Sequence, residues 1–264
     1  MSELYLYHGT TSVCAIKVRI ALQEKALDWK GQALDLRRGD QHRPEYLKLN
    51  PNAVVPTLVH QGRVLIESTL IIEYLDECFP EPPLMPADPY ARSQARLWMK
   101  RIDDTLHAAC SAISFAVAFR KELQQKPAAE LEAHLERIPN PEYRERQRAS
   151  IAQGLAAPHV TQAVRNYDTY LGDMEHALAE SDYLIGGAYS LADLAATPYV
   201  NRAHMLGMDV LWAKRPKLAS WFERMRERSS FEPAVSSWLT DADRRRFGGS
   251  HEETRAKLVE MLAG

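Results

Sequence analysis

The chain has 264 residues, a formal net charge of −2, and ordinary shares of hydrophobic (45%) and charged (26%) residues. This length suits two modest domains or one large one. The near-neutral charge gives no electrostatic reason to expect nucleic acid or an anionic membrane surface as a partner. No uninterrupted apolar run reaches the roughly 20 residues that span a bilayer, so we expect no membrane segment.

The start of the chain and the cysteines indicate a compartment. The first residues, MSELYLYHG, lack the basic and apolar regions of a signal peptide. Cys14, Cys78 and Cys110 are far apart and odd in number, which disfavours a disulfide framework. We therefore predict a cytoplasmic location, where thiols stay reduced.

The first eighty residues alternate between short strand and helix patterns. Residues 4–7 predict a buried strand, and apolar residues at helical spacing predict a helix after residue 12. The further predicted elements are a strand at 33–36, a short helix at 44–49, a hairpin of 55–60 with 63–67, and a helix that Ser68 opens. The predicted order is therefore βαβαββα.

Beyond a proline-rich stretch near residue 80, nearly all of the pattern is helical. Long helices are predicted from residue 90 to about 119 and near 160–178, 190–206 and 218–225. We interpret residues 121–158 as loop and short helix, and the charged last twenty or so residues as peripheral or frayed. The predicted domains are 1–80 and 91–264, joined by a linker at 81–90.

Two groups of residues resemble a known family. Val54-Val55-Pro56-Thr57-Leu58, together with Glu67-Ser68 and the helix pattern after them, resembles the thioredoxin-like domain of soluble glutathione transferases. Ser190-Leu191-Ala192-Asp193 is similar to the capping box in the central helix of that family. The resemblance implies an α/β thioredoxin-like N-terminal domain, an all-α C-terminal helical bundle, and glutathione as co-substrate without a metal.

The resemblance assigns binding roles to three residues. Val55, before a proline that is cis in the family, would pair its backbone with the cysteinyl part of glutathione. Ser68 would receive the γ-glutamyl carboxylate at the N-terminus of a helix, where free N–H groups favour an anion, and Glu67 would lie near the ammonium group. Ser68 is predicted to cap this helix in either case; without the resemblance it would be a capping residue only, and Glu67 a surface strand residue.

The sulfur of glutathione must be held as a thiolate, although a free thiol has a pKa of about 8.5. Ser12 matches the serine of zeta-like members, whose hydroxyl would donate to the sulfur. Cys14 matches the cysteine of glutathione-dependent reductive dehalogenases, which forms a mixed disulfide with glutathione. Each residue could instead have a structural role alone. Ser12 could serve only as the cap of the first helix, and Cys14 could be a small hydrophobic residue in the core. Tyr7, the residue type used by other classes, is expected to pack in or near the core.

The glycyl carboxylate of glutathione needs donors as well. Gln41 matches a glutamine or histidine that zeta- and theta-like relatives use there, and His42 is its neighbour. Many relatives carry a Lys or Arg at the position of Val54. This chain therefore lacks one possible ion pair with the glycyl carboxylate.

Three functions remain open from the sequence. In the first, glutathione thiolate, stabilised by Ser12, attacks an electrophilic hydrophobic substrate in a detoxification-type reaction. An aromatic substrate is favoured because residues 121–158 resemble an extended region in transferases that cleave β-aryl ethers. In the second, Cys14 performs thiol transfer or reductive dehalogenation. In the third, the protein is a binding module without catalysis. A homodimer is expected from the resemblance alone.

Overall fold

The computed structural model describes residues 3–138 and 140–263. By contacts, the chain divides into two compact units. Unit 1 comprises Met1–Met99, Glu180–Pro198 and Trp221–Thr240, and unit 2 comprises Lys100–Ala179, Tyr199–Ser220 and Asp241–Gly264. These units are not contiguous in sequence, so the domain boundaries near residues 80 and 90 stay a prediction.

Unit 1 contains a four-stranded mixed sheet. Its strands are β1 (Leu4–His8), β2 (Lys30–Ala33), β3 (Thr57–His60) and β4 (Arg63–Leu65), in the spatial order β2-β1-β3-β4. β1 runs parallel to β2 and antiparallel to β3, and β3 and β4 form a hairpin. Gln61 and Gly62 both have positive φ (53° and 73°), as a two-residue hairpin turn of this handedness requires.

The second strand is displaced from its predicted place. It covers Lys30–Ala33 rather than residues 33–36, and all four of its residues are exposed. As an edge strand it carries no apolar signal, whereas Leu34 belongs to a buried cluster with Tyr46 and Val55. The apolar pattern therefore marks loop residues that pack into the core, and not the strand.

The helices of the N-terminal part confirm the predicted order. They are α1 (Val13–Glu24), α2 (Pro44–Leu47) and α3 (Ser68–Cys78). Two buried contacts join α1 and its C-cap residue to α3: Lys17 donates to Thr69 Oγ1 over 3.0 Å, and the C-cap residue Lys25 forms a 2.5 Å ion pair with Asp76. The order is βαβαββα, as predicted.

The rest of the chain is helical. Its α-helices are α4 (Pro89–Arg101), α5 (His107–Ser114), α6 (Arg120–Gln124), α7 (Ala128–Glu136), α8 (Pro141–Gln153), α9 (Pro158–Ala177), α10 (Leu191–Met205), α11 (Pro216–Glu227), α12 (Phe231–Ala234), α13 (Asp241–Gly248) and α14 (His251–Ala263). Wider π-helical turns at Ile102–Leu106 and Phe115–Phe119 join α4 to α5 and α5 to α6.

Two predicted irregular segments are helical instead. Residues 121–158 contain α7 and α8, because Pro127 precedes the first residue of α7 while Pro141 and Pro158 occupy first turns, where proline is tolerated. The charged end of the chain forms α13 and α14, which bury Phe247 and Leu258 on one side. The segment predicted as loop and short helix is thus mainly helical, and the tail predicted as peripheral or frayed forms helices and is not frayed.

One helical stretch departs from the expectation about membranes. Among the described residues, Pro89–Gln124 is long and apolar enough to cross a bilayer by length and composition, and half of its most apolar window is buried. A buried core helix meets the same test, so this stretch is weak evidence for a membrane span.

A buried carboxylate organises the start of α10. Asp193 is fully buried, and its Oδ1 accepts from the Leu184 N–H and the Trp221 Nε1–H, both at 2.9 Å. Its Oδ2 accepts from the N–H and the hydroxyl of Ser190, whose Oγ in turn accepts from the Ala192 N–H. Burial raises the pKa of Asp193, while these hydrogen bonds lower it. The capping role predicted for this pair is confirmed, and the network reaches beyond the cap.

We expect Asp193→Ala to lower the free energy of unfolding by at least about 3 kcal/mol, because it leaves several buried donors without an acceptor. The same substitution at exposed Asp182 is the matched control and should cost less than about 1 kcal/mol. Urea unfolding of the two variants measures both values, and equal losses would contradict the assignment.

Candidate functional site

The sheet brings all the candidate site residues to one of its ends. Tyr7 pairs with Thr57, and Leu58 pairs with Leu65, so the end of β1, the start of β3 and the end of β4 coincide. β2 is parallel to β1 and ends at the same level, because His8 pairs with Ala33. The segments 9–12, 34–43, 55–56 and 66–68 therefore all leave the sheet at this end.

Ser12 lies at the junction of segment 9–12 and α1. It is the N-cap residue, its φ and ψ of −69° and 121° are extended, and its Oγ accepts from the Ala15 N–H at 3.3 Å. A hydroxyl that accepts a hydrogen bond keeps its proton to donate. Capping and donation to a ligand are therefore compatible roles for Ser12.

Cys14 and Tyr7 flank this position. Cys14 is the second residue of α1, half-buried and without a disulfide. Tyr7 is also half-buried, and its ring packs against the cluster that contains Tyr46, with 5.7 Å between the ring centroids. The expected packing role of Tyr7 is thus observed.

Arg19 fixes the path of the backbone that leads to Ser12. Its guanidinium donates to the carbonyl oxygens of Gly9 (3.1 Å), Thr10 (2.8 Å) and Ala234 (2.8 Å). Arg19 is only 1% exposed, and burial lowers the pKa of its guanidinium to about 9. Charged groups make hydrogen bonds roughly twice as strong as neutral groups do. This one side chain therefore holds two consecutive carbonyls of segment 9–12.

Aromatic rings enclose the same arginine. The guanidinium carbon lies 4.9 Å from the centroid of the Trp238 ring, and the His8 ring meets that tryptophan edge-on at 4.7 Å. His8 Nδ1 lies 3.1 Å from Arg19 NH1. Burial, and then the charge of Arg19, lower the pKa of His8 to about 4. The imidazole is therefore neutral at pH 7 and accepts from the arginine.

A second buried network supports the Val55-Pro56 turn, whose peptide bond is cis. The Tyr46 hydroxyl donates to the Val54 carbonyl at 2.5 Å, and Asn50 Nδ2 donates to the same oxygen at 2.9 Å. Within residues 3–138 and 140–263, no hydrogen bond to the Val55 backbone is found. The N–H and C=O of Val55 are therefore available to an extended peptide.

The Glu67-Ser68 corner differs from the prediction in one detail. Glu67, and not Ser68, is the N-cap residue of α3: its carbonyl accepts from the Ile71 N–H at 2.9 Å, and its φ of 69° makes the turn. Ser68 is the first helical residue and is 6% exposed. The prediction that Ser68 is the N-cap residue is therefore wrong, because Glu67 occupies that position and its side chain makes no capping hydrogen bond. As expected, Ser68 lies in the first turn of α3, where backbone N–H groups have no partner within the helix. Non-glycine residues with positive φ concentrate at functional sites.

Gln41 and His42 lie in a turn that side-chain hydrogen bonds stabilise. Asp35 and Asp40 organise it, since Asp40 Oδ2 accepts from the Asp35 N–H at 2.9 Å. Gln41 Nε2 donates to the Leu36 carbonyl at 3.3 Å, while its buried Oε1 has no partner among the described residues. His42 is half-buried. Both predicted residues therefore lie on the segment that leaves β2 at the site end of the sheet.

Arg19 and Tyr46 are the supporting residues that the sequence reasoning missed. A signal existed for Arg19, because it follows Ala15 by four residues and precedes Leu22 by three, and both neighbours are buried. A charged residue on the buried face of a helix requires a dedicated partner. No group of three or more His, Cys, Asp or Glu residues that could hold a metal is found in the described part of the chain.

Comparison with known proteins places these features in a family. The family models for the N-terminal and C-terminal domains of glutathione S-transferase match residues 6–83 and 98–229. The chain is 30% identical to Protein LigF of Sphingobium sp. (strain NBRC 103272 / SYK-6), over 91% of this chain and 95% of that protein. It is 29% identical to the tetrachloro-p-hydroquinone reductive dehalogenase of Sphingobium chlorophenolicum, over 89% and 96% of the two chains.

A solved structure shows the same similarity. The beta-etherase LigF from Sphingobium sp. strain SYK-6 superposes with a TM-score of 0.79 at 30% identity, over 89% of this chain and 99% of that one.

The lowered pKa of His8 gives a test of the Arg19 cluster. A histidine with a pKa near 4 in the folded state and near 6.5 in the unfolded state stabilises the fold above pH 6.5, and this stability is lost as the pH falls toward 4. Between pH 7 and pH 5 we expect His8 to account for a loss of about 2 kcal/mol of unfolding free energy.

Denaturant unfolding of the wild type and of His8→Gln at both pH values measures this loss. The glutamine variant should lose about 2 kcal/mol less than the wild type. His176→Gln, at an exposed site, is the matched control and should behave as the wild type. Parallel pH dependence of all three proteins would show that His8 is not held neutral.

Proposed function

The chain belongs to the glutathione S-transferase family, whose enzymes use glutathione as co-substrate, and we propose that it binds glutathione at the site end of the sheet with Ser12 holding the sulfur as a thiolate. The observation that carries this proposal is the strand register. Pairing of Tyr7 with Thr57 and of Leu58 with Leu65 brings segments 9–12, 55–56 and 66–68 to one end.

The Val55 backbone is suited to the peptide part of glutathione. Its N–H and C=O lie just before β3 and make no hydrogen bond within the described part of the chain, and the Tyr46 hydroxyl holds the preceding carbonyl in place. A peptide laid alongside such a segment exchanges main-chain hydrogen bonds as an added strand does. This mode recognises a peptide backbone and not a particular side chain.

The corner formed by Glu67 and Ser68 is suited to the γ-glutamyl end. Ser68 opens α3, so the free N–H groups of its first turn attract a carboxylate. Glu67 is exposed and carries the opposite charge to the ammonium group of the same γ-glutamyl residue. One corner thus offers complementary charges to both ends of an amino-acid zwitterion.

Ser12 supplies the donor for the sulfur. Because its Oγ accepts from the Ala15 N–H, the hydroxyl is oriented at the start of α1 and its proton is directed elsewhere. A donor to the thiolate favours the charged form and lowers the pKa of the thiol. Arg19, by fixing Gly9 and Thr10, is a positioning residue for this donor.

Gln41 and His42 are proposed at the glycyl end. Gln41 Nε2 donates to the Leu36 carbonyl and keeps a second hydrogen, which the glycyl carboxylate can accept. Val54, where many relatives carry a basic residue, is 51% exposed and adds no charge. The glycyl carboxylate is therefore held by neutral donors more than by an ion pair.

The reaction is nucleophilic substitution at an electrophilic carbon of a hydrophobic substrate. The glutathione thiolate forms a C–S bond, and the bond to the leaving group breaks with its electron pair. Two of the relatives that match most of the chain are named for a β-ether cleavage and for the dehalogenation of a chlorinated hydroquinone. An aromatic substrate with an ether or halide leaving group fits both names.

Cys14 offers a second candidate function. It is half-buried in the first turn of α1, where the helix dipole favours a thiolate. The similarity to a reductive dehalogenase supports a role in which Cys14 forms a disulfide with glutathione. In that role it attacks the sulfur of a glutathionyl adduct, and the carbon leaves with the electron pair and takes up a proton.

Substitutions at the two positions separate these reactions. We expect Ser12→Ala to lower kcat/KM for glutathione conjugation about 10²-fold, because one preorganised donor is lost. The loss should be larger at pH 6.5 than at pH 8.5, since the free thiol ionises near pH 8.5 without help. Cys14→Ser should stay close to the wild type.

The measurement is steady-state conjugation with a chlorinated nitroaromatic and with a β-aryl ether. The reverse ranking of the two variants would assign the chemistry to Cys14. Glutathione binding by the wild type without turnover of any electrophile would instead favour a binding module.

We also propose that the protein is a cytoplasmic homodimer acting on a small-molecule electrophile. The physical support for a dimer is apolar surface on unit 1. Large hydrophobic side chains are exposed there at Leu70 (62%), Tyr90 (72%) and Leu97 (52%). Single exposed hydrophobics are normal in a monomer, but several on one unit offer area to a second copy.

Light scattering tests this proposal. The chain mass is 30.0 kDa, so a dimer has about twice that mass. Leu70→Asp should shift the particle toward the monomer mass, whereas Val259→Asp, at a similarly exposed site of unit 2, should not. A wild-type particle of 30.0 kDa would refute the dimer.

A further inference from the structure

The segment of residues 228–238 follows α11 and belongs to unit 1. Nearly all of it lies beyond residue 229, where the match to the family model of the C-terminal domain ends. It contains α12 and one tighter helical turn at Ser236–Trp238. Ala234 and Val235 are 0% and 2% exposed, so this segment is packed into the unit.

Two contacts tie the segment to α1. At the end of α1, Glu24 accepts two 2.7 Å hydrogen bonds from the Arg228 guanidinium and one of 2.5 Å from Ser230 Oγ. Five residues earlier in α1, Arg19 Nε donates to the Ala234 carbonyl at 2.8 Å. A rise of 1.5 Å per residue separates these two points by about 7.5 Å along the helix. The segment therefore runs alongside α1 and is fixed to it at two places.

Trp238, at the end of this segment, lies against the guanidinium of Arg19. The guanidinium carbon is 4.9 Å from the centroid of the Trp238 ring. Arg19 is 1% exposed, and no carboxylate among the described residues pairs with it. A buried charge requires compensation, and the face of a tryptophan ring attracts a cation, most strongly when both are desolvated. The ring face therefore acts with the bonded carbonyl oxygens to compensate this charge.

Three contacts fix the orientation of the Trp238 ring. Its Nε1 donates to the Pro233 carbonyl at 2.9 Å. The Trp29 ring stacks on it with 6.3 Å between the centroids, and the His8 ring meets it edge-on at 4.7 Å. A ring that is held in this way confines the guanidinium beside it to one position. Removal of the ring would leave space into which Arg19 can move.

Arg19 links Trp238 to the site, since it donates to two carbonyls of segment 9–12. We propose that Trp238 is a positioning residue for the sulfur-binding end of the glutathione site: its ring holds Arg19 in place, and Arg19 holds segment 9–12 so that Ser12 meets the sulfur. This inference rests on the proposed role of Ser12. It adds to the site a residue from outside the part of the chain that the family models match.

Hydrogen exchange of the free protein, followed by NMR, tests the effect on segment 9–12 without glutathione. The Ser12 N–H donates to the Gly9 carbonyl at 3.3 Å, and the same oxygen accepts from Arg19, so the Ser12 amide reports on this turn. In Trp238→Ala we expect this amide to exchange about tenfold faster, because the cation–π contact is lost. Trp238→Phe keeps a ring face toward the guanidinium and should stay within about threefold of the wild type.

Trp212→Ala is the matched control for the loss of a tryptophan. Trp212 is buried in unit 2. Its removal should lower overall stability and leave Ser12 exchange at the wild-type rate, because a turn exchanges through local opening. Equal Ser12 exchange in Trp238→Ala and the wild type would overturn the inference. So would equal acceleration in Trp238→Ala and either Trp238→Phe or Trp212→Ala.

Glutathione supplies the second readout. The pKa of the bound thiol, measured from thiolate absorbance against pH, should lie below about 8.5 in the wild type and in Trp238→Phe and rise toward that value in Trp238→Ala. The KM for glutathione should change less than about threefold, since the backbone pairing at Val55 is untouched. A lowered thiol pKa that stays unchanged in Trp238→Ala would overturn the inference. An unshifted thiol in the wild type would instead contradict the proposed role of Ser12, and the exchange rates would still decide whether Trp238 holds segment 9–12.

Discussion

The register between β1 and β3 determines the functional part of unit 1. Pairing of Tyr7 with Thr57 places the segment that follows β1 next to the turn that precedes β3. A slip of one residue would turn every side chain of the strand to the opposite face. It would expose Leu4 and Leu6, which are 2% and 0% exposed, so the apolar core fixes the register. The register that positions the site is therefore fixed by Leu4 and Leu6, which are not among the proposed glutathione-binding residues.

Two buried polar networks convert this register into a defined site. Arg19 holds the carbonyls of Gly9 and Thr10, and Tyr46 with Asn50 holds the carbonyl of Val54. In both cases a side chain from a neighbouring helix or turn satisfies backbone carbonyls that no strand partner can reach. Buried carbonyls require such partners. These hydrogen bonds fix the two segments that approach the ligand. The Val55 backbone and the Ser12 hydroxyl remain available to it.

Much of unit 1 could be predicted from the sequence because its signals are local. The hairpin turn at Gln61-Gly62, the opening of α3 near Ser68 and the capping pair of Ser190 and Asp193 are all set by neighbouring residues. The edge strand β2 could not be located from the sequence, since an exposed strand has no apolar alternation.

The extent of the helices within residues 121–158 could not be predicted, for a different reason. Its prolines stand at or next to the starts of helices, where they look like breaks in a linear pattern. The role of Arg19 depends on partners that only the fold supplies, so the sequence alone gives its unusual position and not its contacts.

The central claim is that the site end of the sheet binds glutathione through backbone pairing, with Ser12 at the sulfur. A crystal structure of the protein with glutathione tests it most directly. We expect the cysteinyl N–H and C=O to pair with the Val55 backbone, the γ-glutamyl carboxylate to meet the first turn of α3 at Ser68, and the sulfur to lie within hydrogen-bond distance of Ser12 Oγ. Glutathione bound away from Val55, or a sulfur bonded to Cys14 instead of facing Ser12, would contradict the account.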